Sequence, residues 1–271
     1  MSVDSLASVR FKIERAKHHV QELDRAIVEF RETGPYEIGT KKYPETGYII
    51  HYAVRVDDPP MEIAGLAGEA IHQLRSALDH LAVRLVLATT PGMSTKHVYF
   101  PISDTPKTGV LAADACVKGM GQDAIDAIDR IEPHKGGAGH DLWLLHKLNN
   151  IDKHRMLVTV VHDLAAIDYA PIFRGIYERL PDQNETTKRF IEIMRKKRIS
   201  IAPFQPMRAV KPGDILLRDM TAGSEPENKA DFLFAIAFNE PPVIEGAPIL
   251  ETLHRLTNVV EVVVSTLSPF L

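Results

Sequence analysis

Residues 69–85 read EAIHQLRSALDHLAVRL. At about 100° per residue, Ala70, Ile71, Leu74, Ala77, Leu78, Leu81 and Leu85 fall on one arc, which makes the stretch an amphipathic helix with one side turned to a core. His72, Arg75 and Asp79 line the border of that arc at spacings of three, four and seven, so their side chains meet on one flank. Glu69, Ser76 and His80 lie farther round. Pro59-Pro60 supplies the start of this helix, and the pattern carries it to about Val86.

A later helix opens at His140-Asp141 and runs through Trp143 toward Arg155. Leu144, Leu145, Leu148 and Ile151 define its core side, yet Asp152 and Arg155 fall inside the same arc. An unpaired buried charge is costly, so both are expected to be largely buried and to find opposite charges. The simplest arrangement pairs Arg75 with Asp152 and Asp79 with Arg155 across two packed helices, with His72, His146, Asn149 and Asn150 nearby and His154 on the last turn. This seam has two readings. Either it is a charge network that fixes helix register, or it gathers Arg, His and Asp to bind or cleave a phosphodiester.

Working outward, Leu6, Val9, Ile13, Ala16, Val20, Leu23, Ile27 and Phe30 alternate in steps of three and four, the pattern of a long helix. Asp4 or Ser5 can cap its start, and Gly34-Pro35 ends it. Tyr48, Ile50, Tyr52, Val54 and Val56 then alternate with Ile49, His51, Ala53, Arg55 and Asp57 after a Pro44-Glu45-Thr46-Gly47 turn, which predicts a hairpin with one buried face. A shorter helix spans about Gln122 to Ile131, stopped by Pro133. Beyond Arg155 the runs MLVTVV, RISIAPF, DILLRDM and DFLFAIAF read as strands of an antiparallel sheet. Ala222 to Ala230 reads as a polar loop. Ile249, Leu253, Leu256, Val260, Val263 and Leu267 predict a final helix.

The expectation is an α+β fold: a multi-helix bundle flanked by an antiparallel sheet. It is expected as a single domain over 1–271, mainly helical with a hairpin over 1–155, β-rich over 156–245, and closed by a C-terminal helix over 246–271. The chain of 271 residues is 45% hydrophobic and 25% charged, enough apolar content for a core without cross-links. A formal charge of -4 gives no global attraction to polyanions, so a nucleic-acid contact needs a local basic patch. Cys116 is the sole cysteine, and the opening residues lack the apolar core of an export signal. VVEVVVSTLSPFL, interrupted by Glu261, falls short of a membrane span. These features predict a cytoplasmic protein with no membrane partner.

The LRSALDHL helix, the later LNNIDKHR segment and the N-terminal helix followed by a hairpin resemble an uncharacterised bacterial family, over roughly residues 10 to 160. Arg75-Ser-Ala-Leu-Asp-His80 also resembles the R-x4-6-H motif of the HEPN superfamily, helical bundles that include metal-independent endoribonucleases of toxin and defence systems. That resemblance implies a homodimer in which paired copies of Arg75 and His80 bracket an RNA phosphate, without cofactor or metal. Arg75 would neutralise the phosphate and His80 would move protons, with Asp79 orienting the arginine and Ser76 holding the imidazole. The alternative is a non-catalytic nucleotide-binding or protein-interaction module on the same bundle. Arg155 to His162 is a second match to the motif, but it crosses from helix into strand. Ser76 departs from the larger polar residue frequent after the arginine.

Lys188, Arg189, Arg195, Lys196, Lys197 and Arg198 form the one local basic run, with Phe190 among them for stacking, and are where an RNA backbone would dock. Glu69-Ala-Ile-His72 and Glu251-Thr-Leu-His254 both fit E-x-x-H, a di-iron signature, but lack partner glutamates, so no metal site is assigned. Lys135-Gly-Gly-Ala-Gly139 precedes a helix without the lysine and hydroxyl of a P-loop and reads as a turn. No nucleophile elbow or dinucleotide fingerprint is present.

Overall fold

The heptad run that begins at Leu6 forms α1 (Ala7–Glu32), and all eight of its apolar positions are buried. Gly34, at φ +68°, takes the left-handed conformation that ends it. The computed structural model describes residues 6–107, 111, 114–155, 160–181, 184–202, 209–220, 225–227 and 229–271. The proposed caps Asp4 and Ser5 lie outside them.

The fold is α+β, and the chain falls into two compact units. The first comprises residues 1–27, 61–159 and 240–271. It holds most of α1 together with α2 (Met61–Thr89), α3 (Gln122–Ile131), α4 (His140–Arg155) and α7 (Ile249–Leu267). Helix α2 packs against α4 and α7, and α3 packs on α7. Lys17 of α1 pairs with Glu261 of α7 at 2.8 Å, and Lys12 donates to Gln73 of α2 at 3.0 Å. The predicted core side of α2 is buried throughout, as are all six apolar positions of α7. Glu132 adopts a left-handed conformation at the end of α3, just before Pro133.

The second unit spans 28–60 and 160–239 and contains two antiparallel sheets. In one, β1 (Tyr36–Lys42) and β2 (Ile49–Val56) form the hairpin and β5 (Ile215–Asp219) pairs the far side of β2. In the other, β3 (Val160–Asp168) lies between the two-residue β4 (Ser200–Ile201) and β6 (Asp231–Glu240). Ala53, Leu164, Ile167, Leu216 and Phe234 join them in one core. His162 is buried there with both ring nitrogens engaged: Nε2 lies 2.7 Å from the Asp57 carbonyl and Nδ1 lies 2.8 Å from the Tyr36 hydroxyl. The carbonyl can only accept, so Nε2 carries the proton and the phenol donates to Nδ1.

The stretch after Arg155 is less purely β than its texture suggests. Between β3 and β4 it forms α5 (Ala170–Glu178) and α6 (Glu185–Lys196). Thr187, Ile191 and Met194 give α6 a narrow buried stripe, and the Asn184 side chain caps it by accepting from Thr187 N at 2.9 Å. Four cations within the helix and two just after it mask that stripe in the sequence. Of the described residues of the RISIAPF run only Ser200–Ile201 is strand, while residues 203–208, 156–159 of MLVTVV, and 222–224 and 228 of the polar loop lie outside the described residues.

Candidate functional site

Phe100 stands directly before Pro101, which biases it to extended backbone and leaves its N–H and C=O without helical partners. It is fully buried, so both groups require partners. Arg75 and Asp79, one turn apart on α2, supply them. Arg75 Nη2 donates to the Phe100 carbonyl at 3.0 Å, and Phe100 N donates to Asp79 Oδ1 at 3.0 Å. Arg75 Nη1 lies 2.7 Å from the same carboxylate oxygen, an ion pair in which the N–H is not aimed along the contact. The Arg75 side chain is 7% exposed and that of Asp79 38%. Burial pushes the guanidinium below its ordinary pKa, and Asp79 opposes that shift. The pair therefore holds one residue of the extended segment against α2.

The α4 side of the seam follows from antiparallel packing. His146 meets Arg75, Asn149 meets His72, and Asp152 meets Gly68, so each step up α4 is a step down α2. Arg75 Nε donates to His146 Nδ1 at 3.4 Å. Nδ1 is then an acceptor, so Nε2 carries the proton, and the Asn150 amide, placed with Nδ2 3.0 Å from Nε2, must turn over to present its oxygen as the acceptor. Burial, reinforced by the charge of Arg75, pushes the His146 pKa down to about 4. Asn149 is buried, with Oδ1 3.4 Å from His72 Nδ1.

This register overturns the expected pair of Arg75 with Asp152. Gly68 is seven residues from Arg75, about 10.5 Å along the helix, so Asp152 is out of its reach. Asp152 instead packs where Gly68 has no side chain: a Cβ there would lie 2.8 Å from its Cγ. It is half-buried rather than buried, and burial followed by repulsion from Glu69 raises its pKa. Arg155, the expected partner of Asp79, stands at the end of α4. The Arg155 side chain lies outside the described residues.

Of the other candidates, Ser76 and His80 are half-buried, and no hydrogen bond joins them among the described residues. Burial, then the charge of Lys12, holds the His80 imidazole below its ordinary range. His72 and His154 are exposed. In the second unit, Lys188, Arg189, Arg195, Lys196, Lys197 and Arg198 all face solvent, with Lys188, Arg195 and Lys196 paired to Glu185, Glu178 and Glu192. Phe190 is packed on Tyr177 at 4.2 Å between ring centroids. Both E-x-x-H motifs put Glu and His in solvent, and no cluster of three or more metal-type side chains occurs among the described residues. In the 135–139 loop, Ala138 N donates to Glu132 Oε2 and Gly136 N to His140 Nδ1, so these amides already have acceptors.

Phe100, Asp104 and Trp143 were not singled out by sequence reasoning. Trp143 Nε1 donates to Asp104 Oδ1 at 2.7 Å, and Lys147 pairs with the same carboxylate at 2.9 Å. The signal for Phe100 was available in Tyr99-Phe100-Pro101, an extended apolar segment whose backbone had no ladder to join. Comparison with protein-family models, curated proteins and solved structures gave no match. No described helix is long and apolar enough to cross a membrane.

Proposed function

We propose that the helical unit is a non-catalytic binding module, taking a nucleotide or a protein partner, whose Arg75–Asp79–His146 seam is structural. The observation that carries this reading is the engagement of Arg75 by a carboxylate, a backbone carbonyl and an imidazole while almost fully buried. A phosphate seeking that guanidinium would have to displace the Phe100 carbonyl and strand it without a partner. The exposed polar groups of the seam are His72 and His154, with Ser76, Asp79, His80, His146, Asn150 and Asp152 half-accessible. The test is incubation of the purified chain with mixed-sequence RNA in chelator. This reading expects no cleavage by wild type.

A second reading, a metal-independent, HEPN-like endoribonuclease acting as a cytoplasmic homodimer, draws support from His80. Its imidazole is half-accessible and held below its ordinary pKa, hence neutral near pH 7 and able to accept a proton. In that scheme Arg75 neutralises the phosphate, Asp79 orients it and Ser76 steadies the imidazole, with no cofactor required. RNA cleavage that is lost in His80→Ala would replace the first reading with this one.

A further inference from the structure

The outward face of the β1–β2–β5 sheet is not an ordinary solvated face. Ile49, His51 and Ala53 of β2 turn inward and are buried, so Tyr48, Ile50 and Tyr52, the more aromatic set, turn outward. Cross-strand register sets Lys41 and Arg218 on either side of Ile50, and Gly39 and Ile215 on either side of Tyr52. Tyr43 N donates to Tyr48 O at 2.8 Å and extends the same face past the strand ends. Tyr43, Tyr48 and Ile215 are 38%, 44% and 40% exposed. A Cβ at Gly39 would lie 2.6 Å from Tyr52 Cζ, so the missing side chain lets that ring lie across β1. Lys41 Nζ stands 5.1 Å from the Tyr43 ring centroid. Tyr43, Thr46, Tyr48, Ile50, Ile215 and Arg218 border a groove of about 310 Å³.

Large apolar groups clustered in solvent mark a docking surface, and the charges here select the occupant. Lys41 and Arg218 lie within the apolar row, flanking Ile50, where they would be desolvated and unpaired against a purely apolar protein surface. Glu37 is drawn to Arg55, 4.0 Å away, and Glu45 sits in the turn, so neither neutralises that row. Planar rings alternating with fixed cations match the alternation of bases and phosphates in an unpaired strand. Tyr48 and Tyr52 are separated by about 13 Å along β2, enough for more than one base. The phenol hydroxyls supply donors and acceptors suited to a ribose 2′-hydroxyl. We propose that this face binds single-stranded RNA, with bases stacked on Tyr48 and Tyr52 and phosphates at Lys41 and Arg218. The proposal stands independently of the reading of the Arg75 seam.

Fluorescence anisotropy of a labelled oligouridine titrated with the full chain tests it. Tyr48→Ala or Tyr52→Ala should each weaken binding by about 5- to 150-fold. With two phosphates engaged, log K should fall against log salt with a slope of about -1.4, and Arg218→Gln should reduce that slope by about 0.7. Arg218 is exposed, so its substitution keeps the test alive if a tyrosine variant fails to fold by circular dichroism. Absence of saturable binding overturns the proposal, as does equal affinity for oligothymidine or a duplex. Binding that survives Tyr48→Ala but disappears in Arg195→Gln/Arg198→Gln belongs to the α6 run and also overturns it. So does a dimer in sedimentation that Tyr48→Ala dissolves without any RNA binding.

Discussion

Asp79→Ala should destabilise the helical unit more than Arg75→Met, although the two residues form one ion pair. Removing Asp79 leaves a guanidinium, on a side chain only 7% exposed, without its counter-ion and takes the acceptor from Phe100 N. Breaking a buried pair from one side costs about 3–5 kcal/mol, and because Asp79 is 38% exposed the expectation is about 3 kcal/mol. Arg75→Met removes the buried charge, refills the stem with an apolar chain and leaves Asp79 able to hydrate while keeping its bond to Phe100 N. Its main penalty is the orphaned Phe100 carbonyl, about 1.5 kcal/mol. The double variant should cost about 2.5 kcal/mol, a coupling of about 2 kcal/mol relative to additivity. Urea unfolding followed by fluorescence of Trp143, the sole tryptophan, reports this unit directly. A cost below about 1 kcal/mol for Asp79→Ala, or additivity within about 0.5 kcal/mol, would refute the clamp.

Acid should weaken the fold before it protonates ordinary carboxylates. His51, His80, His146 and His162 are all held below their usual pKa, chiefly by burial, His146 to about 4. From near pH 6.5 down to about 4 the unfolded chain binds more protons, so stability is complete above that window and is lost as pH falls through it. His146→Gln should flatten the urea-midpoint profile by about 1–2 kcal/mol after allowance for partial exposure; an unchanged profile refutes the assignment. Asp152, whose pKa is raised by burial and by Glu69, is better neutral, so Asp152→Asn should be neutral or stabilising by up to about 1 kcal/mol at pH 7. A loss of several kcal/mol would restore the buried-pair expectation for Asp152. Gly68→Ala should destabilise wild type by crowding Asp152 but stabilise an Asp152→Ala background by up to about 1 kcal/mol, because there only helix propensity remains. Thermal melts of the three variants decide the sign.

Periodicity is a local property, and what depended on it was legible in the chain itself. The spacing of Leu6 through Phe30, of Ala70 through Leu85 and of Ile249 through Leu267 placed three helices and their buried sides, because a 3.6-residue repeat has one geometric solution. The same wheel put Arg75 and Asp79 on one flank. It could not choose their partners, because the register and direction of one helix against another depend on how whole surfaces fit. Antiparallel packing brought His146, not Asp152, to Arg75, and the segment ending at Pro101 brought the Phe100 backbone to both Arg75 and Asp79. In β2 the alternation announced two faces without saying which was covered. The bulge opposite Glu37 and Ile38 then brought Val56 back inward, out of step with Tyr48, Ile50 and Tyr52. Which face met the core was settled by the other strands of that unit, and so was the exposure of the tyrosines, since burial belongs to neighbours distant in sequence.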